Sequence, residues 1–128
     1  MKKVIRTLNA AAPGGHYSQG IRVNNRIYIA GQTPIDPKTG RMPETIEDQT
    51  RQVLLNIKNV LAEEGATLED VVKVNTYLTN LDDFDRYNEV YKEFFTGMPP
   101  VRTTCGVQLK GIAIEIDAIA ELDLAEHQ

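Results

Sequence analysis

The spacing of apolar residues divides the sequence into strand-like and helix-like segments. The pattern of residues 18–31 predicts a β-hairpin, because Asn24 and Asn25 separate two short apolar runs. Asn tolerates the positive φ that a two-residue hairpin turn requires. The segment that follows, residues 33–40, is dense in turn-forming residues. The other predicted strands cover residues 2–7, 71–78, 101–108 and 112–122.

The first helix-like segment follows Pro43 and Thr45 and ends near Gly65. Thr45 and Asp48 have the spacing of a capping box, and glycine commonly follows the last residue of a helix. One side of this segment is apolar and the other is charged. The pattern therefore predicts an amphipathic helix that lies on a sheet.

The second helix-like segment begins after Asn80 or Asp82 and ends before the prolines at 99–100. Asn88 lies about 40° from Phe84 around the helix axis, because successive residues turn by about 100°. We therefore place Asn88 at the edge of the buried face. That face is a stripe of aromatic residues, formed by Phe84, Tyr87, Tyr91 and Phe94.

The order of these elements is three strands, a helix, a strand, a helix and two strands, which predicts an α+β fold. We expect a mixed β-sheet with the two helices packed on one face. Alternation along the strands assigns residues to the helix-covered face. In the strand at 71–78 the expected members are Val72, Val74, Thr76 and Leu78.

The opposite face of this sheet mixes aromatic, charged and aliphatic side chains. Such a mixture is too apolar for a fully hydrated face and too polar for a core. Association of chains through this face would satisfy both demands. Its predicted members include Tyr28, Lys73, Asn75, Tyr77, Glu115, Asp117 and Ile119.

Composition limits the classes of function. The chain has 128 residues, enough for the one domain that we expect at residues 1–128. One cysteine excludes an internal disulfide framework, and two histidines cannot form a three-histidine metal site. No apolar stretch approaches the ~20 residues that cross a membrane, and no secretory signal is present, so we expect a cytoplasmic protein. A net charge of −4 gives no general attraction to nucleic acid, although a local basic pocket stays compatible with it.

Several segments, taken in order over almost the whole chain, carry a resemblance to one known family. They are GGHYSQG (14–20), IYIAGQTPIDPKTG (27–40), QTRQVLLNIKNVLAEEGATLEDVVKVNTYLTNLDDF (49–84), YNEVYKEFF (87–95), PPVRTTCGV (99–107) and IEIDAIAEL (114–122). In these segments the chain resembles the Rid family, also called YjgF, which includes the RidA-type deaminases of 2-imino acids and enamines.

The resemblance implies a fold similar to chorismate mutase, in which three subunits pack sheet to sheet as a homotrimer around a central β-barrel. It implies active sites in clefts between neighbouring subunits. The implied reaction is hydrolysis of 2-aminoacrylate, 2-iminopropanoate or 2-iminobutanoate to a 2-keto acid and ammonia, which removes reactive intermediates. The half-polar sheet face agrees with such an assembly.

Two residues are candidates for catalysis under this resemblance. Arg102 matches the arginine of the deaminating members, and a guanidinium can hold a substrate carboxylate by two parallel hydrogen bonds. Glu115 matches the glutamate that positions the water attacking the imine carbon. On the residues alone, a surface ion pair and a solvated strand face are the more common interpretations. Asp117 is interpreted as solvated, although a nearby carboxylate raises the pKa of its neighbour.

The resemblance assigns further residues to substrate binding: Tyr17, Gly31, Asn88, Thr104 and Cys105. Strand alternation turns Arg102 and Thr104 to one side and Cys105 to the other. We therefore expect a buried, structural Cys105 thiol, with the backbone at 103–105 contacting the substrate. Asn88 has a second interpretation as a helix-packing residue, and Gly31 as a simple strand end. The segment between Arg102 and Glu115 is about two residues shorter than in many members of the family.

The sequence contains no metal-ligand cluster, phosphate-binding loop or nucleophile motif. We therefore expect chemistry that uses binding, water and proton transfer, with no metal and no cofactor. The expected partners are a small imino or keto acid and further copies of this chain, but neither membrane nor nucleic acid. Two alternatives stay open: a non-catalytic ligand-binding trimer that regulates purine or translation functions, and a weak endoribonuclease.

Overall fold

The computed structural model describes residues 1–123, which form a six-stranded β-sheet with two helices on one face. The predicted α+β fold is confirmed. The strands are β1 (Lys2–Ile5), β2 (Gly20–Val23), β3 (Arg26–Gln32), β4 (Val71–Leu78), β5 (Val101–Gly106) and β6 (Ile114–Glu121). The helices are α1 (Ile46–Ala62) and α2 (Phe84–Phe94), with short 3₁₀ turns at Leu68–Asp70 and Leu81–Asp83.

The strands lie in the order β1-β2-β3-β6-β4-β5, so the last strand of the chain sits between β3 and β4. Adjacent strands are antiparallel, except that β4 and β5 run parallel. Apolar residues at alternate positions of the central strands point towards the helices and are almost fully buried. They include Ile27, Ile29, Val74, Leu78, Ile114, Ile116 and Ala118. Removing each such large side chain from water stabilises the fold by roughly 1.5–3 kcal/mol.

The local signals for turns and caps are confirmed. Asn24 takes a left-handed φ of 54° in the turn between β2 and β3. The Thr45 side chain accepts a hydrogen bond from the Asp48 amide and begins α1. Beyond the end of α1, Gly65 has a φ of 70°, a conformation that glycine adopts without a Cβ clash.

One predicted face assignment is wrong. The pairing of β4 with β6 shifts register between Val71 and Lys73, which is a β-bulge. As a result Val71 is buried in the core whereas Val72 is 43% exposed. Val74, Thr76 and Leu78 lie on the helix-covered face as predicted.

The predicted strands at 101–108 and 112–122 are longer than the observed β5 and β6. Residues 112–113 instead form hydrogen bonds with side chains. The Thr79 hydroxyl donates to the carbonyl of Ile112, and the Ala113 amide donates to Oε1 of Gln49. Gly111 has a φ of 74° in the connecting loop. Tertiary hydrogen bonds therefore end the regular pairing earlier than alternation alone predicts.

Buried amide side chains hold the irregular segments against the core, and the hydrophobic pattern did not reveal them. Gln19 is 3% exposed and bonds the backbone of Thr7 and Ala11. Asn56 in α1 is fully buried and donates to the carbonyls of Thr33 and Ile35, both at 3.0 Å. These hydrogen bonds give the buried carbonyl groups a partner. Without one, burial of a carbonyl group destabilises the fold.

Within residues 1–123, neither helix combines the length and the apolar character that crossing a membrane requires.

Replacing Asn56 by Ala should lower the free energy of unfolding by about 2–4 kcal/mol, because two buried carbonyls lose their donor. Chemical denaturation followed by circular dichroism measures this loss. Lys58→Ala, at an exposed position of the same helix, is the control and should change the value by less than about 0.5 kcal/mol. Equal stabilities for Asn56→Ala and Lys58→Ala would contradict the role assigned to the amide.

Candidate functional site

The Arg102 side chain lies on the helix-covered side of β5. Its backbone pairs with Val74, a core residue of β4, so the two side chains share one face of the sheet. The guanidinium carbon is 4.5 Å from the ring centroid of Tyr91, 5.3 Å from that of Tyr87 and 5.6 Å from that of Phe84. Stacking on aromatic faces stabilises a cation and restricts its orientation.

One hydrogen bond to a side-chain amide also holds Arg102 in place. Its Nη1 donates to Oδ1 of Asn88 over 2.9 Å. The ion pairs found within residues 1–123 do not include Arg102. The guanidinium therefore keeps most of its donors for another acceptor.

A cleft lies beside this guanidinium. It has a volume of about 390 Å³ and is lined by Asn88, Tyr91, Lys92, Phe95, Pro99, Pro100 and Arg102. Two cationic residues and one amide among apolar neighbours form a suitable site for a small anion, because the apolar walls strengthen a charge-assisted hydrogen bond. Arg102 thus does not point into bulk solvent, and it pairs with no carboxylate of residues 1–123.

The aromatic stripe of α2 builds the wall behind Arg102. Tyr87 and Tyr91 are buried, and their ring centroids are 5.7 Å apart. The stripe continues to Phe95, 4.6 Å from Tyr91, beyond the predicted Phe94, which packs against the edge of the core. Helical spacing predicted this stripe, but its contact with a guanidinium was missed. The sequence signal for that contact is Asn88, a polar residue at the edge of an aromatic helix face.

Thr104 lies on the same side as Arg102, as alternation predicted. Its Oγ1 is 3.2 Å from the hydroxyl of Tyr87, which also donates to Oγ1 of Thr76 over 2.8 Å. Thr104 is therefore bonded to the wall of the cleft. The direct function of its side chain in this structure is to hold Tyr87 in place.

Cys105 lies on the opposite side of β5 from Arg102, as predicted, because it pairs with Tyr77 of β4. The predicted burial of its thiol is wrong: the residue is half-buried. No helix covers this face of the sheet, and β5 is an edge strand, so the side chain keeps contact with solvent.

Glu115 and Asp117 lie on this uncovered face. Glu115 pairs with Tyr77, and Asp117 pairs with Asn75. The predicted solvation of Asp117 is wrong, since the side chain is half-buried and accepts hydrogen bonds from Asn75 at 3.0 Å and Tyr77 at 2.9 Å. The hydrogen bond to Asp117, together with burial, raises the pKa of Tyr77 to about 12.

The Glu115 carboxyl lies over Gly31 of β3. A Cβ at Gly31 would be 2.6 Å from Oε2 of Glu115, which is closer than real contacts allow. Glycine is therefore required for Glu115 to hold this position. Burial raises the pKa of the Glu115 carboxyl above its usual range, and the nearby charge of Asp117 adds to that rise.

Tyr17 stands apart from both groups. It lies in the loop between β1 and β2, is 46% exposed, and its hydroxyl accepts a hydrogen bond from the Gly14 amide at 3.0 Å. It borders a separate depression that also involves Arg6 and Pro13.

The structure thus brings the candidate residues together in two groups. Arg102, Asn88 and Thr104 form one group on the helix-covered side of the sheet. Glu115 and Gly31 form the other on the uncovered side. Within a single chain, the two candidate catalytic residues face opposite sides of the sheet.

The described residues offer no cluster of three or more His, Cys, Asp or Glu side chains that could hold a metal ion.

Comparisons with known proteins identify the class. The sequence model of the family described as "Endoribonuclease L-PSP" matches residues 7–122. A RutC family protein from Pyrococcus horikoshii is 51% identical over 123 residues, which covers 94% of this chain and 98% of the relative. An Escherichia coli relative named "Putative reactive intermediate deaminase TdcF" is 37% identical over 125 residues, covering 94% of this chain and 97% of the relative.

Solved structures share the fold. The Rid family protein YyfA from Yersinia pestis, whose function is described as unknown, has a TM-score of 0.91 at 42% identity and covers 95% of this chain and 100% of its own. Escherichia coli TdcF with bound serine has a TM-score of 0.91 at 34% identity and covers 94% of this chain and 99% of its own. The chain is therefore a small α+β protein of the class that includes the reactive intermediate deaminases. It belongs to the Rid family, also called YjgF.

Replacing Gly31 by Ala should displace the Glu115 carboxyl while the fold persists, because the obstructed atoms are the far end of a flexible side chain. The free energy of unfolding should fall by less than about 1 kcal/mol. A crystal structure of the variant should show Glu115 in another rotamer. Gly14→Ala, where an added Cβ meets nothing within 4 Å, is the matched control. An unmoved Glu115 in Gly31→Ala would contradict the close contact.

Proposed function

We propose that this protein hydrolyses reactive 2-imino acids, and the enamines in equilibrium with them, to 2-keto acids and ammonia. The observation that carries the proposal is the Arg102 guanidinium, which is fixed beside a cleft and has no carboxylate partner within residues 1–123. The named relative TdcF supports the proposal, as does the serine bound in its crystal structure, since serine also carries a carboxylate next to a nitrogen-bearing carbon.

The substrate fits the chemistry of this cleft. In a 2-imino acid such as 2-iminobutanoate or 2-iminopropanoate, the carboxylate is bonded to the carbon of the C=N group. A guanidinium that holds the carboxylate by two hydrogen bonds also fixes the position of the reacting carbon. The enamine 2-aminoacrylate enters the same route once it tautomerises to 2-iminopropanoate. Removal of these compounds, released by pyridoxal-phosphate dehydratases, gives the protein a function in limiting metabolite damage, with the cytoplasm as its location.

Glu115 supplies the proton transfer in this proposal. A neutral Glu115 carboxyl gives its proton to the imine nitrogen, and the resulting carboxylate takes a proton from the water that attacks the carbon. The carbinolamine then loses ammonia, and the C=O bond of the keto acid forms. The raised pKa of Glu115 supports this use, because a general acid is most effective when it titrates near the working pH.

Both catalytic residues can reach one substrate only if two chains build the site. Arg102 and Glu115 face opposite sides of the sheet in each chain. We therefore propose a homotrimer, packed through the uncovered face around a central β-barrel, in which Arg102 and Asn88 of one subunit meet Gly31 and Glu115 of its neighbour. The half-buried Asn75, Tyr77 and Ile119 on that face support association.

The other substrate contacts follow from this arrangement. Tyr17, exposed on its loop, would border the shared cleft, and the backbone at 103–105 would contact the ligand from β5. Thr104 supports the wall through Tyr87. In this proposal, residues 1–128 form a single Rid domain.

A regulatory binding protein is the second candidate. A Lactococcus lactis relative named "Putative regulator AldR" is 41% identical over 123 residues. The same cleft would then bind an imino or keto acid without turning it over. Failure to accelerate hydrolysis, with retained binding of the keto acid, would favour this alternative. Cleavage of RNA would instead favour the family's description as an endoribonuclease.

Replacing Arg102 by Ala should slow imine hydrolysis by about 30-fold to several thousand-fold, equivalent to about 2–5 kcal/mol, because the substrate carboxylate loses its charged partner. The measurement is the rate of keto-acid appearance when threonine dehydratase supplies 2-iminobutanoate. Arg102→Lys keeps the charge without the two-pronged geometry and should fall between the parent and Arg102→Ala.

Arg86→Ala is the matched control, because Arg86 is exposed and already pairs with Glu47 at 2.7 Å. It should hydrolyse at the parent's rate. Circular dichroism verifies that each variant is folded. A folded Arg102→Ala protein that clears 2-iminobutanoate as fast as the parent would refute the assignment.

A further inference from the structure

Two carboxylates at alternate positions of β6 share the uncovered face, roughly 6–7 Å apart along the strand. Their surroundings are unequal. Asp117 accepts two hydrogen bonds, whereas no hydrogen bond to Glu115 is found among residues 1–123. Asp117 is therefore fixed in position by its neighbours, whereas Glu115 is not.

Asp117 is held by donors from the adjacent strand. Nδ2 of Asn75 lies 3.0 Å from Oδ1 of Asp117, and the Tyr77 hydroxyl lies 2.9 Å from Oδ2. Tyr77 is paired directly with Glu115 in the sheet, yet its hydroxyl reaches diagonally to Asp117. Both carboxylate oxygens of Asp117 thus have a donor, which fixes the position of this side chain.

Glu115 lacks this support. Within residues 1–123 of one chain, the groups that face it are Tyr77 of β4, which donates elsewhere, Cys105 of β5 beyond that tyrosine, and Gly31 of β3, which has no side chain. In the assembly proposed above, the neighbouring subunit adds the guanidinium of Arg102, whose positive charge opposes the effect of Asp117. Lys73 pairs with Ile119, at the far end of β4 from Glu115. Half-buried and next to the charged Asp117, Glu115 is the member of the pair that binds a proton more readily.

We propose that Asp117 is a positioning residue, held by Asn75 and Tyr77, whose fixed negative charge makes Glu115 hold its proton more tightly. Its consequence for catalysis rests on the function proposed above. Asp117 touches no reacting atom and acts only through its fixed negative charge. With that charge in place, Glu115 stays a neutral acid to higher pH and can protonate the imine nitrogen there.

The test is an NMR titration of protein labelled with ¹³C at the glutamate carboxyls, with the Glu115 signal assigned by its loss in Glu115→Gln. In Arg102→Ala, where the neighbouring guanidinium is absent, Glu115 should titrate above the usual range of a glutamate. In Asp117→Asn the midpoint should fall by about 0.5–1 pH unit, because the neighbouring charge is gone. Asp117→Glu keeps a carboxylate at this position, and its Glu115 midpoint should stay within about 0.3 pH unit of the parent's.

The pH dependence of imine hydrolysis is the second measurement. The pH at which the rate declines should move down in Asp117→Asn by the same amount as the Glu115 midpoint, whereas a purely structural role would lower the rate at every pH. An unchanged midpoint in Asp117→Asn overturns the proposal, and so does an ordinary Glu115 midpoint in folded Arg102→Ala, which requires no change at Asp117. A shifted midpoint with an unshifted rate profile overturns the role in catalysis. A parent that hydrolyses no imine refutes the proposed function alone, because the titration is read without substrate.

Discussion

The proposed site depends on one arginine, which has no acidic partner among residues 1–123. Stacking on Tyr91, Tyr87 and Phe84 and one bond to Asn88 hold the Arg102 guanidinium beside a cleft, but they leave its charge uncompensated. Aromatic faces can restrain a cation without neutralising it. The aromatic stripe of α2 therefore serves both the core and the site, since the rings that bury apolar area also hold an anion receptor in place.

The order of the strands explains why one chain carries two half-sites. Because β6 lies between β3 and β4, it brings Glu115 over Gly31 and next to the donors of β4. The parallel pairing of β4 with β5 turns Arg102 to the other side, against α2. The sheet thus separates Arg102 from Glu115, the two residues to which we assign anion binding and proton transfer. Under the proposed function, assembly of subunits becomes a requirement for catalysis.

Local signals predicted much of the fold. The strand at 71–78 and the Thr45 cap follow from short-range patterns, and both agree with the structure. The exposure of Val72 could not be predicted, because the bulge arises from pairing with a distant strand. For the site, alternation separated Arg102 from Cys105 within one strand. Alternation also placed Glu115 and Asp117 on the face that the helices do not cover. It assigned Arg102 to neither face, so the opposite orientation of Arg102 and Glu115 and the bonds to Asp117 needed the register of the whole sheet.

The most direct test of a site shared between subunits is the mixing of two inactive variants. Arg102→Ala and Glu115→Gln chains are unfolded together at equal concentration and refolded, and the hydrolysis of 2-iminobutanoate is compared with that of each variant refolded alone. If each cleft takes Arg102 from one subunit and Glu115 from its neighbour, random assembly leaves about a quarter of the clefts intact and restores about a quarter of the parent's rate. A mixture no more active than its separate components would contradict the shared site.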